Sequence, residues 1–206
     1  MKNKTGNVYG LTLMCPILSD PTRRPTHVEE IRQVLAGLPN FELSPLARIP
    51  TIHMARFFVV RNFPYAGYPA EEDHLRSSYL MFSAEFDGDL AEFVEMLTGR
   101  CGELVESLWS HCVAYPGPTD PAAVLGYFRR CQLDTALFFA DQTTASAEDV
   151  LRALYVQREV TSFVERAQVE KQPPAALQSS FRELVERLRV APTPPPGSAT
   201  LPRESP

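Results

Sequence analysis

An apolar stripe between residues 90 and 112 constrains this chain more than any other feature. Leu90, Phe93, Val94, Leu97, Cys101, Leu104, Val105, Leu108 and Cys112 recur at three- and four-residue steps, while Glu92, Glu95, Glu103 and Glu106 fall away from them. That period belongs to an α-helix with one buried face. The spacing therefore predicts a long helix lying against a second apolar layer, and Asp87-Gly88-Asp89 marks the turn from which it starts.

The layer it needs is supplied by strands. Residues 8–18, 54–60 and 77–86 read as strands, and "LDTALFFA" (133–140) as a fourth. Between the first two, Thr26 and Glu29 form a capping box ahead of an apolar face made by Ile31, Val34, Leu35 and Leu38, so a helix starts there. Asp120-Pro121 opens a short helix through Phe128 and Cys131, and Ser146 with Asp149 caps another that carries Val150, Leu151, Leu154 and Phe163. A further helix, "ALQSSFRELVERLRV", follows a Gln-Pro-Pro break, and the proline-rich end, 191–206, has the composition of a disordered tail.

Apart from the short helix, residues 7–142 run β-α-β-β-α-β. This order resembles the ferredoxin-like fold and its relatives the dimeric α+β barrels. The expected class is α+β, an antiparallel ferredoxin-like sheet with extra C-terminal helices. Residues 1–170 form the domain, 171–190 a helix packed on it and 191–206 the tail. In "ARFFVV", "YLMF" and "ALFF" both strand parities are apolar, so the second sheet face is expected to be covered by another subunit, by the C-terminal helices or by an apolar ligand.

Several function classes are closed. The formal charge of −5 and the scatter of basic residues leave no footprint for nucleic acid. The apolar run "GLTLMCPIL" is short and interrupted, with no cleavage or lipidation pattern, so a soluble cytoplasmic protein without a membrane span is expected. Cys15, Cys101, Cys112 and Cys131 have no C-x-x-C spacing and read as free thiols. His27, His53, His74 and His111 show no metal-ligand spacing, and no nucleotide, esterase or zincin motif is present.

The candidate catalytic residues are His53, His111 and Asp87; the candidate ligand-binding residues are Arg56, Phe57, Trp109 and Tyr115. Arg56 sits between Ala55 and Phe57 in an apolar strand and calls for an anion, either Glu85 or a ligand carboxylate. His53 and His111 are titratable near neutrality, and His111 near a helix C-terminus also has a purely structural use. Asp87-Gly88 resembles the end of the Gly-x-x-Asp-Gly motif of dye-decolourising haem peroxidases, with Ala84 where the first glycine belongs.

Two functions follow as expectations. In one, the protein, a homodimer, holds a small apolar or aromatic ligand between sheet and C-terminal helices. The resemblance to dimeric α+β barrels implies oxygenase- or peroxidase-like chemistry there, with haem as the conceivable cofactor. In the other, it is a non-catalytic dimeric interaction module.

Overall fold

The computed structural model describes residues 3–65, 67–69, 74–141 and 143–198. A two-residue strand β1 (Lys4–Thr5) turns into β2 (Val8–Pro16), followed by α1 (His27–Gly37) and two 3-10 turns, Phe41–Leu43 and Pro45–Arg48. Then come β3 (Ile52–Val60), β4 (Tyr79–Asp87), α2 (Leu90–Trp109), α3 (Pro121–Cys131), α4 (Ala147–Glu170) and α5 (Pro174–Val190). The class is α+β, with one antiparallel four-stranded sheet in the order β1-β2-β4-β3. Since β4 is antiparallel to both β2 and β3, those two run parallel and α1 crosses between them. Among the described residues no helix is long and apolar enough to cross a membrane.

The helix starts follow the local chemistry. Thr26 accepts from the Glu29 N–H while the Glu29 carboxylate reaches back to the Thr26 N–H, and Ser146 with Asp149 repeats the pattern at α4. Asp120 caps α3 through the N–H groups of Ala122 and Ala123. α2 kinks at Cys101, whose backbone leaves the helical region between Gly99 and Gly102.

One sheet face carries the core. Leu11, Leu13 and Cys15 of β2 lie opposite Ala84, Phe82 and Leu80 of β4, and all are buried under α2 and α3. An aromatic chain runs through that layer: Phe86 stacks on Phe93 at 3.9 Å, Phe57 on Phe82 at 4.6 Å, and Trp109 meets Phe82 at 5.5 Å and Phe128 at 5.3 Å.

The fourth predicted strand, 133–140, is not one. β1 folds back onto Val8 and Tyr9 and occupies that stretch of the β2 edge. The backbone pairs with β2 at the entry to the segment, where Gln132 bridges Leu13 and the Leu133 N–H donates to the Thr12 carbonyl. Beyond it the chain runs outside the N-terminal hairpin, held by Asn3, which donates to the Leu133 carbonyl and accepts from the Thr135 N–H. Leu137 and Phe139 are left 84% and 80% exposed. Phe138 instead lies on Gly10, where a Cβ would come within 2.7 Å of its ring.

Within the chain the cover on the second sheet face is incomplete. The main backbone contacts of α4 and α5 are with each other. Met54 and Phe58 on that face are 56% and 39% exposed. In the segment read as a tail, the Ala191 carbonyl accepts from Arg152, and Gly197 lies against the backbone of Phe41. Residues 199–206 of that segment lie outside the described residues.

Candidate functional site

Topology gathers chemistry at one end of the sheet. β2 and β3 finish there and α1 begins there; α2, which leaves β4 at the opposite end, returns its C-terminus to the same place. The first turn of α1 therefore meets the end of α2. His27 Nδ1 lies 2.9 Å from His111 Nδ1, and Glu30 Oε2 lies 3.4 Å from that same His111 nitrogen. Glu30 also accepts from Arg23 at 2.6 Å, which orients its carboxylate.

The three side chains sit on pinned backbone. The capping box fixes the turn carrying His27 and Glu30. His111 is tied to the end of β2, because its carbonyl accepts from the Leu18 N–H at 2.9 Å and the neighbouring Val113 N–H donates to Pro16. Burial holds the His111 imidazole below the ordinary histidine range, against the upward pull of Glu30. Its neutral, lone-pair-bearing form is thereby favoured.

Beside this cluster opens a cleft of about 560 Å³. His27 lines it, and so do Arg24, Arg32, Arg61 and Arg76, which come from the β2–α1 loop, α1, the end of β3 and the approach to β4. Among the described residues no carboxylate forms an ion pair with Arg32, Arg61 or Arg76. Within the same cleft the Thr26 cap bonds, helped by Arg24 and Arg61, keep Glu29 below the usual carboxylate range.

The residues singled out in the sequence are only partly brought together. His53 and Asp87 pair at the opposite end of the sheet, Nε2 to Oδ1 at 2.9 Å, and Asp87 Oδ2 accepts from the Ala147 N–H at 2.7 Å. Both carboxylate oxygens are thus engaged in tying β3 and α4 to β4. Phe57 and Trp109 touch, with ring centroids 5.8 Å apart, but as core side chains. Tyr115 packs edge-on against Tyr127. Arg56 is on the other sheet face, its guanidinium over the Phe58 ring at 5.5 Å. Being exposed to solvent there, it needs no anionic partner, and none is paired with it among the described residues.

These residues do not suit haem. The aspartate suggested by the peroxidase resemblance has spent its oxygens on His53 and Ala147, and His53 has spent its Nε2 on Asp87. His27 and Glu30 are the cluster residues that the sequence did not single out. The partner of His27 lies 84 positions away, so no spacing rule connects them; the capping box beside it was the one usable local signal. No family model, curated protein or solved structure matches the chain.

Proposed function

We propose that this protein binds a small anionic ligand, a carboxylate or phosphate compound, in the arginine-lined cleft at the head of α1. The observation that carries this reading is the convergence of Arg24, Arg32, Arg61 and Arg76 on one cleft. Guanidinium groups match carboxylate and phosphate oxygens with paired, charge-assisted hydrogen bonds. The N-terminus of α1 adds its dipole to the same space. Ile17, Leu18 and Leu75 supply an apolar wall for the rest of the ligand.

The test is thermal unfolding with citrate and with inorganic phosphate, at fixed ionic strength. A ligand at about 100 times its Kd stabilises by ~2.7 kcal/mol, enough to raise the melting temperature by several degrees. Arg61→Glu and Arg32→Glu are expected to remove the shift. An equal shift in wild type and in both variants would overturn the reading.

A second reading, self-association, rests on the exposed β3 side of the second sheet face. β3 is an edge strand, and Met54 and Phe58 present apolar surface to solvent beside Met81. The β-α-β-β-α run from β2 to α2 is the part of the ferredoxin-like order that the chain shares, and a homodimer burying this face is the form such a kinship would take. Light scattering of wild type and of Phe58→Lys distinguishes a dimer from a monomer.

A further inference from the structure

We infer that His27, Glu30 and His111 form a binding site for a divalent transition-metal ion. One donor atom from each residue falls within a cluster whose members all lie within 4.8 Å of one another. Metal–nitrogen bonds of ~2.0–2.1 Å place neighbouring ligand atoms ~3.0 Å apart in octahedral and ~3.3 Å apart in tetrahedral coordination. The 2.9 Å between the two Nδ1 atoms and the 3.4 Å from His111 to Glu30 match that range.

Without metal, the contact between the histidines needs one Nδ1 to carry a proton and the other a lone pair, because two protonated nitrogens cannot face each other. Glu30 directs a further lone pair at the same His111 nitrogen. A single cation replacing that one proton would satisfy all three donors, and the proton would leave to solvent. Two imidazoles and one carboxylate suit Zn²⁺, Fe²⁺, Co²⁺ or Ni²⁺ rather than Mg²⁺ or Ca²⁺, and they leave coordination positions open. Arg23, bonded to Glu30 at 2.6 Å, holds the carboxylate in place.

The site adjoins the arginine cleft through His27, which belongs to both. An anion held by the arginines could therefore fill an open position on the ion. That last point rests on the proposed function; the metal site does not.

The experiment is calorimetric titration of the untagged, chelator-stripped full-length chain with Zn²⁺ alone, in chloride buffer without other anions. Visible absorption of the Co²⁺ form reports the ligand set. The expected result is one ion per chain, with affinity falling at least about 100-fold in His27→Ala and Glu30→Gln and about 10-fold or more in Arg23→Ala. His53→Ala, at the far end of the sheet, is expected to bind as wild type does. His111→Ala is included if its circular dichroism matches wild type; His27→Ala, on the first helical turn, carries the test otherwise. Failure of wild type to bind one Zn²⁺ per chain, or equal binding by the His27→Ala/Glu30→Gln double variant, would overturn the site. The anion experiment on Arg61→Glu reads the cleft separately, so either proposal can fail alone.

Discussion

Replacing Asp87 with alanine should loosen the C-terminal helical pair without melting the sheet. Asp87 is 6% exposed and its Oδ2 accepts the buried Ala147 N–H at the first residue of α4. Few side chains share that duty: Ala147 in α4, and Leu184 and Leu188 in α5, are the buried residues of the two helices. A hydrogen bond to a charged acceptor contributes ~1.5–3 kcal/mol, and its loss leaves the Ala147 N–H buried without a partner. At 1.4 kcal/mol per factor of ten, a loss of ~2 kcal/mol raises the open population of the α4 start about 30-fold. Native-state hydrogen exchange measures this directly. Val150, whose amide donates to Ser146 in the first turn of α4, should lose protection about 30-fold. Phe82, in the centre of β4, should keep its own. Asp87→Asn retains an acceptor for Ala147 and should lose only ~1 kcal/mol of local stability. Unchanged protection at Val150 would refute the anchoring role. An equal fall at Val150 and Phe82 would show that the helical pair opens only with the whole domain.

Other perturbations bear on the core, the thiols and the second sheet face. Phe93→Ala removes a ring enclosed by Phe86 and Phe82 and should cost ~3–5 kcal/mol in urea unfolding followed by Trp109 fluorescence; a cost under ~1 kcal/mol would contradict the packing. Cys131 is held down to about 7 by a hydrogen bond from Cys15, whereas burial pushes Cys112 up to about 12. A depressed thiol pKa places the thiolate, and so the reactivity, at lower pH. Iodoacetamide labelling of Cys131 should accordingly rise through about pH 7 by mass spectrometry, with Cys112 unlabelled until denaturant is added; the reverse order would refute the assignment. Gly10→Ala should drive Phe138 off the sheet, because its Cβ would fall 2.7 Å from that ring; wild-type exchange rates along 133–140 would argue against it.

Local rules made much of the fold legible. The caps at Thr26, Asp120 and Ser146 and most of the stripe from Leu90 to Cys112 depend on neighbours a few residues apart, so their elements lie where the sequence places them, except that α2 stops at Trp109 and Cys112 bridges Ile17 instead. The segment 133–140 shows the limit of that reasoning. Its strand-forming composition is real, but strand formation needs a free edge, and Lys4–Thr5 takes that part of the β2 edge first. Apolar composition on both parities was likewise a sound observation about β3 and β4. How that second face is covered is a tertiary matter: Phe138 lies on Gly10 while Met54 and Phe58 stay exposed.

The candidate site divides in the same way. The sequence by itself determined that His27 and Glu30 share a capped first turn, since the Thr26–Glu29 box and the three-residue step are local, and that a long amphipathic helix ends close to His111. Only the tertiary structure decided that these ends meet, and that His53 and Asp87, each plausible as a reactive group, are drawn into a structural tie instead. The physical reason is the crossover. Antiparallel insertion of β4 between β2 and β3 sends α1 and α2 in opposite directions across the sheet, which brings the start of one to the end of the other over a separation that no spacing rule spans.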